Sequence, residues 1–106
     1  MAETPAAGAV GRIDAALGAF VTAGRADALP GSVHLHCTDA DGEWMIERGP
    51  AGAAELSRRH AKGDCAIRGT ADALADLASG LGSLDGLEVL GDRAVADGFV
   101  AALRMD

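Results

Sequence analysis

The sequence predicts an α+β domain: an antiparallel-rich sheet of four to five strands with helices on one face. Three observations predict it. The run from Val33 to Ile46, VHLHCTDADGEWMI, alternates apolar and polar residues, breaks at Asp39-Ala40-Asp41-Gly42, and alternates again. That is the pattern of two half-buried strands joined by a tight turn. Helix-period apolar residues lie on both sides of the strand region, and further Gly- and Pro-containing turns divide the rest. A chain of 106 residues is expected to form one domain over 1–106, with residues 1–8 frayed.

Val10, Ile13, Leu17, Phe20 and Val21 recur at helical spacing and share one face, while Arg12 and Asp14 fall elsewhere. Gly24 can end this helix, and Ala26 to Gly31 reads as a linker with a Pro30-Gly31 turn. Strand one is Ser32 to Thr38. Val33, Leu35 and Cys37 point one way; His34, His36 and Thr38 point the other. Gly42 closes the turn as a residue able to take a positive φ. Strand two is Glu43 to Arg48, with Trp44, Ile46 and Arg48 on one face. Gly49-Pro50-Ala51-Gly52 is a second turn, and strand three runs from about Ala53 to Arg59. Lys62-Gly63 turns the chain into strand four, Asp64 to Arg68.

Thr70 is a good N-cap for a helix carrying Leu74, Leu77, Ala78 and Leu81, with Asp72 near its positive end. Gly80 suits its C-terminus. Leu84 lies in the loop that leads to a short fifth strand, Leu87 to Leu90. Asp92 caps a last helix whose Val95, Phe99, Val100 and Leu103 face inward. Tight turns imply mostly antiparallel neighbours.

Composition narrows the function classes. The chain is 49% hydrophobic but only 3% aromatic, so its core is built from Leu, Val, Ile and Ala. The net charge is −7. The only basic cluster, Arg58-Arg59-His60-Ala61-Lys62, is too short for phosphate neutralisation, so no nucleic-acid partner is expected. Anionic membranes are disfavoured for the same reason, and no run approaches a membrane span, so no stable insertion is expected. The N-terminus lacks a basic region followed by an apolar stretch, which predicts a cytoplasmic protein. Cys37 and Cys65 sit in strands and read as small buried apolar residues.

Several fingerprints, taken in order, resemble the sterol carrier protein-2-like fold. Asp64-Cys65-Ala66-Ile67-Arg68-Gly69 resembles that family's fourth-strand motif. Leu74, Leu77, Ala78 and Ser79-Gly80 resemble its next helix and exit glycine. Leu87-Glu88-Val89-Leu90-Gly91-Asp92 resembles its last strand and the Gly-Asp that opens the last helix. The resemblance covers roughly Ser32 to Met105. In the first hairpin, His34-Leu35-His36, Thr38-Asp39 and Gly42-Glu43-Trp44 are similar to the C-terminal domain of the mycothiol-dependent maleylpyruvate isomerase type. That type joins this domain to a four-helix metal-binding domain. The sequence contains no such domain and no helical His constellation, so its metal chemistry is not carried over.

The resemblance implies a tunnel between sheet and helices, lined by Leu35, Trp44, Ile46, Ile67, Leu74, Leu77, Leu81, Leu84, Leu87 and Phe99. The same residues serve equally as a filled core. Their expected ligand is a lipid or other apolar small molecule, held by burial without catalysis or cofactor. The alternative is an accessory domain that completes the active site of a separate helical metal-binding protein. In that reading Arg93, just after the Gly-Asp cap, lines the shared cleft.

Other motifs carry less. His34 and His36 share a strand face and can present two imidazoles to one metal, but they need a third ligand such as His60 or Glu47. Asp39-Ala40-Asp41-Gly42-Glu43 fails as a calcium loop because its glycine comes too early and Pro50 holds the twelfth position. Gly80-Leu81-Gly82 follows a helix and not a strand, so it is no dinucleotide fingerprint. Ser57 and His60 lack an orienting acid. The face bearing His34, His36 and Thr38 is expected to be solvated or to pair with a second copy in a weak homodimer.

Overall fold

The structure, a computed structural model, describes residues 5–104. Helix α1 spans Pro5–Thr22 and is followed by a 3-10 turn at Arg25–Ala28. Strands β1 (Val33–Cys37), β2 (Glu43–Arg48), β3 (Ala54–Ser57) and β4 (Cys65–Gly69) come next. Helix α2 (Ala71–Ala78), strand β5 (Glu88–Gly91) and helix α3 (Arg93–Arg104) complete the order. The expected order of elements is therefore found, with the 3-10 turn inside the stretch expected as linker. Of the stretch expected to fray, residues 5–8 are helical and residues 1–4 lie outside the described residues.

The sheet runs β3-β2-β1-β4-β5. The pairs β1–β2, β2–β3 and β4–β5 are antiparallel, but β1 and β4 are parallel. Lys62-Gly63 therefore does not close a tight turn between neighbours. Residues 58–64 instead carry the chain from the β3 edge to the far side of β1. Strands about 4.8 Å apart put β3 and β4 about 14 Å from each other. Seven residues reach about 23 Å, enough for this distance and the return along the strands without a helix.

Register sorts the side chains into two faces. Val33 stands beside Ile46 and Cys65, and Leu35 beside Trp44 and Ile67. These residues are buried with Ile13, Leu17 and Phe20 of α1, Leu74 and Leu77 of α2, and Val95 and Phe99 of α3. The helices thus gather on this face. Phe20 and Phe99 meet edge to face at 5.8 Å between centroids, a favoured aromatic geometry. Trp44 donates its indole N–H to Asp14 at 2.7 Å, and the Arg58 guanidinium lies over its ring. Asp14, placed away from the core by helical spacing, is thus the anchor of the only Trp.

The hairpin turn corrects one expectation. Gly42 does not adopt a positive φ. It is needed because a Cβ there would come within 2.7 Å of the Trp44 ring. Asp39 in the same turn accepts the backbone N–H of Ala71 and so ties the hairpin to the start of α2. Thr70 caps α2 as expected, accepting from the Ala73 N–H.

Helix α2 stops one turn before the apolar spacing suggests. Gly80 has φ +78°, its N–H reaches the Leu77 carbonyl, and the Leu81 N–H reaches that of Asp76. This is a Schellman ending. It turns Leu81 outward, where it is 81% exposed. Leu81 does not belong to the inner face.

The face opposite the helices is covered in part. His34 and Met45, which pair across β1 and β2, are buried. The β3–β4 crossover reaches His34, with the His60 ring against it at 5.3 Å between centroids. Gly63 permits the chain to pass close to β1, since a Cβ there would sit 2.8 Å from the Cys65 carbonyl oxygen and 3.0 Å from the His34 backbone nitrogen. His34 is thus covered within the chain, while His36 is half-buried and Thr38, Arg68 and Leu90 are exposed. Among the described residues, no helix is long and apolar enough to cross a membrane.

Candidate functional site

Two places hold the residues singled out by sequence. The first is the helix side of the sheet. Leu35, Trp44, Ile46, Ile67, Leu74, Leu77 and Phe99 are all within 1% of complete burial. They pack against one another at the centre of the core, and at its edge a cleft of about 230 Å³ is lined by Ala26, Leu29, Ile46 and Ala54 together with Ser32, Arg48 and Asp64. Leu84 and Leu87 are half-buried and close the margin of this core. Leu87 lies over Gly69 at the end of β4, where a Cβ would overlap its Cδ2.

The segment that carries Leu81, Leu84 and Leu87 is irregular. It runs from Ser79 to Leu87, with Gly80 and Gly86 at positive φ. Its first half is tied back to α2 by the N–H groups of Gly80, Leu81 and Gly82; its second half is held by Leu87 N–H to the Leu84 carbonyl, Asp85 N–H to Ser83 Oγ, and the Arg104 guanidinium on the Gly82 carbonyl. A surface cleft of about 300 Å³ lies between this segment and α3, lined by Leu84, Val100, Arg93 and Arg104. Arg93 is exposed and donates to Asp97 one turn along α3, at 3.1 Å.

The second place is the opposite face. His34 Nε2, His36 Nδ1 and His60 Nδ1 lie 3.0, 3.0 and 2.6 Å from one oxygen, Glu43 Oε1. These are all the histidines of the chain. β1 supplies two, β2 supplies the carboxylate opposite His36, and the crossover delivers the third. The Glu43 carboxyl is held down from 4.5 to about 2. Hydrogen bonding from His60 is the main cause; burial opposes it, and His36 and His34 add to it. Glu47, proposed as a third ligand, instead pairs with Arg59. His60 is confirmed as a neighbour, and Glu43 is the member that spacing alone does not single out. Its signal was present in the hairpin, whose turn places Glu43 directly opposite His36. The cluster borders an open cleft of about 690 Å³ that also involves Asp41, Arg58 and Arg59.

Cys37 and Cys65 are buried and unpaired with each other. Burial, with Asp39 adding, pushes the Cys37 thiol up to about 11 against the pull of Arg58. Burial, with Asp64 and Asp92, does the same to Cys65. Thiols so raised are poor nucleophiles at neutral pH.

No family profile matches the chain, and no curated protein does. Solved structures do. The chain is similar to a UbiJ-SCP2 ubiquinone synthesis protein at 19% identity and TM-score 0.59, over 89% of this chain and 91% of that one. It is similar to palmitated SCP2L2 from Aedes aegypti at 15% identity and TM-score 0.62, over 89% and 93%. It is also similar to sterol carrier protein domain 2 of Helicoverpa armigera at 15% identity and TM-score 0.59, over 89% and 87%. At these identities the likeness concerns architecture and not activity: the chain has the fold of a sterol carrier protein-2 domain.

Proposed function

We propose that the chain binds an apolar small molecule, such as a long-chain fatty acid, between the sheet and α2–α3. The observation that carries the reading is the leucine seam at 81–87. Leu84 and Leu87 close the core margin from an irregular segment with glycines at positive φ at 80 and 86, while Leu81 stands in solvent. Swinging Leu84 and Leu87 outward uncovers the end of β4 without breaking a strand pair. An alkyl chain that takes their place gains about 25 cal/mol per Å² of apolar surface buried. Arg104 at the rim suits a carboxylate head, while Arg93 beside it is held by Asp97. The shared fold with a palmitated protein supports the same reading.

The accessory-domain reading, drawn from the likeness of the first hairpin to the maleylpyruvate isomerase type, has no geometric feature in its favour. The Arg93 guanidinium is engaged by Asp97.

Native mass spectrometry of freshly purified protein and displacement of a fluorescent fatty acid test the proposal. Retained lipid or displacement at micromolar concentration is expected. The double change Leu84→Asp and Leu87→Asp should abolish uptake, and Leu90→Asp on the other sheet face should not. The reading fails if neither assay detects a ligand at high micromolar concentration.

A further inference from the structure

The histidine–glutamate cluster lies away from the leucine seam and asks for its own explanation. Three imidazole nitrogens crowd one carboxylate oxygen at 2.6–3.0 Å. His34 and His60 have hydrogen-bond geometry to this oxygen, and His36 stands at ion-pair distance from it. A cation at the same locus can serve all of them. The candidate ligand atoms of His34, His36 and Glu43 already lie within 4.8 Å of one another. Tetrahedral zinc with bonds of about 2.0–2.1 Å wants its ligands about 3.4 Å apart, so a small turn of the carboxylate and rings suffices for these three, and His60, 2.6 Å from Glu43 but outside that group, completes the set by a further movement of the exposed crossover.

We propose that His34, His36, His60 and Glu43 form a binding site for a divalent transition metal of the zinc class, which clamps the β3–β4 crossover onto the sheet. Imidazole and carboxylate donors in a four-ligand set suit Zn²⁺ or Co²⁺ and not Ca²⁺ or Mg²⁺, which prefer all-oxygen shells. The nearby arginines do not compete for the locus: Arg58 is engaged by Asp14 and Arg59 by Glu47. The net charge of −7 favours cation capture. The clamp has a mechanical meaning. His60 is 79% exposed at its side chain, and a crossover without regular structure gains most from a cross-link. His34, by contrast, is 8% exposed, so the metal would be seated on the sheet and not on a loop.

The test uses untagged protein and CoCl₂ as the probe, with ZnCl₂ as competitor. One equivalent of Co²⁺ should bind and give the visible absorption of a four-coordinate nitrogen/oxygen site, without a thiolate charge-transfer band. Zn²⁺ should erase the spectrum and raise the thermal midpoint. His60→Ala lies on the surface and should fold normally, yet weaken binding at least about tenfold through loss of a ligand; His36→Ala should do the same. Three results overturn the proposal. One is no cobalt spectrum at stoichiometric metal. Another is a thiolate band, which would assign the metal to Cys37 or Cys65. The last is unchanged affinity in the His36→Ala/His60→Ala double variant. Fatty-acid uptake is read separately, so failure here does not bear on the leucine seam.

Discussion

Glu43 concentrates more interactions than any other polar side chain in the sheet, and its ionisation has a consequence for stability. Its carboxyl titrates near 2 in the fold against an ordinary 4.5. A carboxyl held low contributes stability that is present above 4.5 and is lost as pH falls through 2. Denaturant unfolding of the wild type and of Glu43→Gln should therefore differ most at neutral pH and converge between pH 4.5 and 2. A gap that stays constant with pH would remove the carboxylate from the account. The two thiols make a second residue-scale prediction. Both are raised to about 11 by burial, so Cys37 and Cys65 should resist alkylation in the native state and react only on unfolding. Rapid modification of native protein would contradict this. The identity of His34 and His36 as same-face neighbours was legible in their spacing. The carboxylate between them was legible only through register; His60 was one of two candidates for a third ligand, and nothing in the sequence chose it over Glu47 because it arrives from a segment remote in sequence.

At the scale of the elements, local signals read well and non-local ones did not. The β1–β2 hairpin follows from alternation around a polar turn. Thr70 and Asp92 were both legible as caps, and both accept the backbone N–H groups expected of them. Thr70→Ala should cost about 1 kcal/mol in unfolding free energy; no loss would show that Asp39 alone holds the start of α2. Helix periodicity overran at Leu81 because a 3.6-residue repeat carries no knowledge of the left-handed Gly80. Gly80→Ala should destabilise the α2 ending, since the added Cβ meets both an unfavourable φ and the Leu103 carbonyl at 2.8 Å. Neutral thermal stability in that variant would contradict the assigned ending. The parallel β1–β4 pairing was hidden for a different reason. Nothing in a short turn-like run at Lys62-Gly63 says whether the chain folds back beside β3 or travels two strands onward.

For the molecule as a whole, the fold class was legible because each element carries its own pattern and the order of elements narrows the architecture. Whether the inner face is filled or hollow was not, because a tunnel and a core need the same residues. The centre of that face is fully buried, and Leu84 and Leu87 at its margin are half-buried, so the ligand uptake proposed above would require movement there. Hydrogen–deuterium exchange with and without saturating palmitate tests this claim most directly. The account predicts slowed exchange across 79–87 on binding, with little change in the β3–β4 crossover at 58–64. No change at 79–87, or protection confined to the crossover, would contradict it.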